Sequence, residues 1–162
     1  MIPSEKTGFP SDEEYMERAL CEAEAAARDG ETPVGALIVW DDGRIVGVGR
    51  NRRETKKNAL CHAEIEAIGM ACSALGGWRL HRATMFVTLE PCPMCAGAIL
   101  NARIKRVVFA ASDPKAGSFG SVVDLAALPN NHRPTVEKGL MEERSAKLLS
   151  DFFRELRKKK TE

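Results

Sequence analysis

An α/β fold, with a partly parallel sheet covered by helices on both faces, is what this sequence predicts. Short β-branched and apolar segments alternate with helical patterns along the chain, the signature of strands packed between helices. No linker, internal repeat or low-complexity stretch interrupts that alternation. At 162 residues the chain suits one domain with a substantial core.

Each element has its own signal. Residues 1–10 read as a loose arm before a single domain over 11–157, and 158–162 as a basic tail. Ser11 with Glu14 is a capping-box pair, opening a helix whose face is Tyr15, Ala19, Ala23 and Ala26 and which Gly30 ends. Residues 34–40 and 44–48 flank Asp41-Asp42-Gly43, where Asp-Gly marks a tight hairpin. From about Ala63, a second helix sets Ile65, Ile68, Cys72 and Leu75 at spacings of 3, 4 and 3. Cys21 and Cys72 fall on such stripes and read as small core residues. A strand over 83–89 leads to Pro93, suited to a first helical turn running through Ala96, Ile99 and Leu100. Val107-Val108-Phe109 marks a buried strand, 122–128 a short helix, and 135–139 a last strand. A long helix from about Met141 presents Leu148, Leu149, Phe152 and Leu156, then dissolves into lysines.

Composition narrows the function. The chain is 44% hydrophobic and 29% charged with net charge +1, which marks an ordinary globular protein rather than a general polyanion binder. No apolar run nears the roughly 18 residues that span a bilayer, and the first residues lack a signal-peptide pattern, so a cytoplasmic protein is expected. Five cysteines, two of them in a C-x-x-C, fit metal binding in a reducing compartment better than disulfides. Basic residues gather around Arg50 to Lys57, around Arg103 to Arg106 and after Arg154. These are solvated patches or, on one shared face, a footprint for phosphates.

The chemistry concentrates in His62-Ala63-Glu64 and Pro91-Cys92-Pro93-Met94-Cys95. One imidazole and two thiols make three ligands, whereas structural zinc usually takes four protein groups and catalytic zinc leaves a place for water. Glu64 then stands where a proton shuttle is needed. Both halves begin helices, whose free N–H groups and positive dipole end favour thiolates. His62 and Glu64, two apart, meet only if His62 precedes the helical turn. Cys61 as a fourth ligand would instead close a structural site. His81 and His132 read as surface or structural residues, and Met94 as a packing residue.

H-x-E followed by P-C-x-x-C resembles the signature of the zinc-dependent cytidine deaminase superfamily. The surrounding residues resemble the bacterial tRNA-specific adenosine deaminases: residues 87–99, Glu31-Thr32-Pro33-Val34-Gly35-Ala36, Trp78-Arg79-Leu80, Asp113-Pro114-Lys115 with Gly120-Ser121, and Leu149-Ser150-Asp151-Phe152-Phe153-Arg154. The likeness spans roughly residues 12–158. It implies a three-layer fold with a five-stranded mixed sheet between helices and a homodimer acting on a tRNA anticodon loop. It also implies one zinc per subunit on His62, Cys92 and Cys95, and Glu64 as shuttle in converting wobble adenosine to inosine. By the same likeness Asn51 bonds the nucleoside, Asp113 and Lys115 touch RNA beside the flipped base, and Phe152, Phe153 and Arg157 help form the anticodon pocket, with Arg53 a phosphate contact. Adjacent aromatics on one helix suit stacking on unpaired bases, or packing. Cys61 and Ala110 depart from the family, which more often has a small residue and Gly there. The alternatives are a free-base or nucleoside deaminase, of guanine or cytosine type, and a non-catalytic zinc-stabilised RNA-binding module.

Overall fold

Ser11 opens α1 (Asp12–Arg28) in the computed structural model, which describes residues 8–161. Its hydroxyl accepts the Glu14 N–H at 3.2 Å and the Glu14 carboxylate accepts the Ser11 N–H at 2.8 Å, completing the capping box. Tyr15, Ala19, Ala23 and Ala26 are all buried, as helical spacing requires. Most of the expected arm, residues 1–7, lies outside the described residues.

Five strands follow: β1 (Gly35–Trp40), β2 (Ile45–Arg50), β3 (Ala83–Leu89), β4 (Arg106–Ala111) and β5 (Thr135–Lys138). They lie in the order β2-β1-β3-β4-β5. β1 is antiparallel to both β2 and β3, while β3, β4 and β5 run parallel, so the sheet is mixed as expected. The other helices are α2 (Ala63–Leu75), α3 (Pro93–Asn101) and α4 (Glu142–Lys160). Alternate strand residues serve opposite faces. Ala36, Ile38, Met85, Val87, Val107 and Phe109 pack in one core with α2 and α3, and Leu37, Val39, Phe86 and Val108 in another with α1. Three layers result.

On α2 the buried face differs from the one the large side chains suggest. Ala63, Ala67 and Ala71 are buried, while Ile65, Ile68, Cys72 and Leu75 are only partly so. The reason lies on β2. A Cβ at Gly49 would sit 2.0 Å from the Ala63 carbonyl oxygen, and one at Gly47 2.2 Å from that of Ala67. Helix backbone therefore rests on strand backbone, and the larger residues move to the flank. Cys72 is half-buried and Cys21 exposed, so neither is the core residue expected.

The helix expected over 122–128 shrinks to a 3₁₀ turn, Leu125–Ala127. Leu128 precedes Pro129, which disfavours helical backbone, and it is extended at φ −70° and ψ 158°. At the other end of the chain α4 outlasts its expectation, continuing through Lys160. Arg157, Lys158, Lys159 and Lys160 in its last turn suit the negative end of the helix dipole. Ser145 is its one buried residue among those described, and its hydroxyl donates to the Thr88 carbonyl.

Candidate metal centre

Strand direction gathers the site. β3 and β4 are parallel and end together, Leu89 opposite Ala111, leaving a crevice beyond their carboxyl ends. β1 runs the other way, so its first residue, Gly35, pairs with Arg50 at the end of β2 on the same edge. One pocket is therefore lined by Thr32 and Val34 before β1, Asn51 and Arg53 after β2, Glu90 and Cys92 after β3, and Asp113 and Ala116 after β4. His62, Ala63 and Glu64 complete it from the start of α2.

His62 is the residue before the helical turn, extended at φ −85° and ψ 155°, which meets the condition for facing Glu64. Cys92 holds the same place before α3, at φ −72° and ψ 173°, with Pro93 following. The Cys92 and Cys95 sulfurs lie 3.6 and 3.4 Å from His62 Nδ1. All three ligand atoms fall within 4.8 Å of one another. Among the described residues no fourth group joins them, and Cys61 is not part of the cluster. This nitrogen and two-sulfur donor set, open on one side to the pocket, is compatible with zinc.

Hydrogen bonding and burial set the two thiols apart. Hydrogen bonds from Cys95 foremost, and from His62, pull the Cys92 thiol down to about 4. Cys95 moves up, because it donates to Cys92 and because it is buried. The bond to Cys92 raises His62, and burial raises Glu64 above the usual carboxylate range.

Asn51 is locked. Its Nδ2 donates to the Thr32 carbonyl at 3.2 Å and its Oδ1 accepts the Arg53 N–H at 3.1 Å. Asp113 Oδ1 accepts the N–H groups of Lys115 and Ala116 at 2.9 and 3.3 Å, shaping the loop. Lys115 itself is exposed beyond the pocket lining. Phe152 and Phe153 meet edge to face, centroids 5.5 Å apart, on α4. Phe152 lines a second groove with Ala27, Gly30 and Leu148, so the structure does not bring it, Phe153 or Arg157 into the pocket of His62. Part of the basic clusters is committed within the chain. Arg50 pairs with Glu22 and Asp29, Arg52 and Lys56 with Glu66, and Arg106 with Asp12 and Glu137.

Two buried carboxylates escaped the sequence reading. Glu31 accepts the N–H of Glu54 at 2.9 Å and of Thr55 at 2.7 Å. Glu90 accepts the N–H groups of Asp113, Phe119 and Ser121 at 3.1, 3.0 and 3.1 Å, and the Ser121 hydroxyl. Only their places beside Thr32-Pro33 and Pro91 hinted at a role. Burial acts to raise Glu31, but its bonds to Thr55 and Glu54 prevail and hold it below the ordinary 4.5. A depressed carboxylate stabilises the fold above its unfolded pKa and stops doing so as pH falls through the folded value. The stability gap between the protein and Glu31→Gln, measured by urea denaturation, is therefore expected to be full at pH 7 and to close on acidification below 4.5. A gap constant down to pH 3 would contradict this.

The family profile of the MafB19-like deaminases matches residues 10–157. The tRNA-specific adenosine deaminase of Bacillus subtilis strain 168 is 49% identical over 150 residues, 92% of each chain. The tRNA(Ile)-lysidine synthase of Deinococcus radiodurans is 45% identical over 157 residues, 96% of this chain but 27% of that protein. A solved structure from studies of A-to-I editing by tRNA:A34 deaminases at the wobble position of transfer RNA superposes with a TM-score of 0.81 at 46% identity, covering 84% of this chain and 99% of that one.

Proposed function

This chain belongs to the MafB19-like deaminase family and, within reach of that premise, to the tRNA-specific adenosine deaminases, and we infer that it converts adenosine to inosine at the wobble position of a tRNA. One observation carries the reading. A chain that aligns over nearly its full length with a tRNA-specific adenosine deaminase places a three-ligand cluster and a buried carboxylate in one pocket.

His62, Cys92 and Cys95 would hold the zinc, which supplies Lewis acidity that makes water nucleophilic near neutral pH. Glu64 takes a proton from the attacking water and delivers it to N1 of the purine. After oxygen adds at C6, the same carboxylate takes the remaining hydroxyl proton and hands it to the amine as the C6–N bond breaks, so the carbonyl forms and ammonia leaves. Adenosine and water thus become inosine and ammonia. Asn51, its rotamer fixed by Thr32 and the Arg53 N–H, orients the nucleoside. Asp113 and Lys115 border the flipped base, and Arg53, exposed at the rim, meets phosphate. Phe152, Phe153 and Arg157 on α4 extend the RNA contact beyond the pocket. Residues 11–157 form the deaminase domain, and the reading puts the enzyme in the cytoplasm with its tRNA. No described helix is long and apolar enough to cross a membrane.

The enzyme acts as a homodimer in this reading. Leu60, Met70 and Trp78 are 58, 51 and 56% exposed, and Trp78 borders a groove with Ile68, Cys72 and Ala98 of α2 and α3. Light scattering is expected to give twice the 17.7 kDa chain mass, and Trp78→Glu to shift it toward one chain. A monomeric parent would refute the dimer. The function itself is tested by ammonia release from a wobble-adenosine tRNA, free adenosine and guanine. Activity on the tRNA alone is expected. A zinc-loaded preparation active only on guanine would favour a free-base deaminase.

A further inference from the structure

Two pocket walls hang from buried carboxylates. Glu31 and Glu90 are 1 and 2% exposed, and neither forms an ion pair among the described residues. Burying an unpaired ion costs several kcal/mol unless N–H and O–H donors satisfy it, so such an arrangement needs a reason. Each carboxylate spends its lone pairs on one loop. Glu31 holds the N–H groups of Glu54 and Thr55, next to Asn51 and Arg53 on one side of the pocket. Glu90 holds those of Asp113, Phe119 and Ser121, next to Asp113 and Ala116 on the other.

The chain around each clip fits it. A Cβ at Gly117 would lie 2.5 Å from Glu90 Oε1 and 2.5 Å from the Asp113 carbonyl oxygen, so the absent side chain is the space the carboxylate occupies. Glu31 adjoins Thr32, whose carbonyl holds the Asn51 amide, so clip and nucleoside-facing residue share one short segment. Neither Glu31 nor Glu90 touches the His62, Cys92 and Cys95 cluster through a hydrogen bond.

We propose that Glu31 and Glu90 are positioning residues that fix the 51–53 and 113–116 walls at a set separation, so that the extruded base meets a preformed slot. The proposal rests on the wobble-adenosine reading for its substrate, but its structural half does not. Glu31→Gln and Glu90→Gln keep shape while replacing one acceptor oxygen with a donor that faces an N–H group. Misplacing a binding wall by an ångström can cost about a hundredfold in rate, and a partly freed loop is expected to raise KM for an anticodon stem–loop about tenfold, with kcat per zinc-loaded site changed less. Amide exchange is expected to rise at Glu54 and Thr55 in the first variant, and at Phe119 and Ser121 in the second, each in its own loop.

A purely structural carboxylate would lower Tm and leave KM per folded site alone. That outcome overturns the proposal, as does exchange unchanged in both loops. Should Glu90→Gln fail to fold, Ser121→Ala removes only the hydroxyl donor to Glu90 and must still raise KM and loosen Phe119. Should Glu31→Gln fail, Glu31→Asp shortens that clip and must still raise KM and loosen Glu54 and Thr55. Wild-type enzyme run alongside separates the two failures. If it leaves the stem–loop untouched while the loops loosen as expected, the substrate reading fails and the clips stand.

Discussion

Glu64→Gln is expected to lower tRNA deamination by about 10³–10⁴-fold while leaving zinc content unchanged. The amide matches the carboxylate in size and keeps its place in the first turn of α2, where the side chain is 4% exposed. What it loses is the ability to accept a proton from water and pass it on. Both transfers in the proposed reaction, to N1 and to the departing amine, run through that one group. The ligand atoms of His62, Cys92 and Cys95 are untouched, so metal analysis should match the parent. Burial disfavours the charged form of Glu64, and taking a charge out of such a site does not lower stability on that account. Tm is expected to hold or rise. Kinetics with metal analysis on the same sample check this, and a variant within tenfold of the parent would remove Glu64 from the chemistry.

Gly49→Ala carries the second large effect, and it acts through the fold. The added Cβ would lie 2.0 Å from the Ala63 carbonyl oxygen and 2.8 Å from the Ala67 nitrogen, both backbone atoms. Backbone cannot swing aside as a side-chain tip can, so α2 must lift from β2. Overpacking of this kind costs about 2–3 kcal/mol. For a chain of this size that lowers Tm by about 5–10 °C. The displaced helix carries His62 and Glu64 at its first turn, so zinc affinity and activity are expected to fall together. The same change at Gly69, where nothing lies within 4 Å of the added atom, is the control and should leave both intact. A Gly49→Ala protein as stable and active as the parent would mean that the close contact does not set the site.

Features written in local chemistry were legible in the sequence. The Ser11 cap, the Asp-Gly hairpin, Pro93 in its first turn and the placing of His62 ahead of its helix depend on a few neighbouring residues, and each is found. What was not legible depends on a distant partner. Periodicity on α2 points to Ile65, Ile68, Cys72 and Leu75, and only the glycines of β2 reveal that the alanine face wins. Residues 122–128 read as a short helix, yet only Leu125–Ala127 is helical, as a 3₁₀ turn, and Val122 and Val123 are exposed. Glu31 and Glu90 receive no role from the sequence, because nothing in it says which backbone N–H groups will come to a carboxylate. The sequence left the basic clusters as solvated patches or a phosphate footprint, and the ion pairs of Arg50 with Glu22 and of Arg106 with Asp12 and Glu137 join residues far apart along the chain.

The ligands come from two separate assemblies, His62 from the β1–β2–α2 portion and Cys92 and Cys95 from the β3–α3–β4 portion. They meet along a seam where β1 pairs antiparallel with β3 and α2 packs against α3. An ion held at that cluster is a cross-brace over the seam. Its binding free energy counts toward folding, because an unfolded chain offers no preformed site. Resistance to unfolding should then track free zinc, rising by about 2.7 kcal/mol at a hundredfold excess over Kd. If zinc fills the cluster, its supply would then set the fold's resistance to unfolding as well as the rate of reaction.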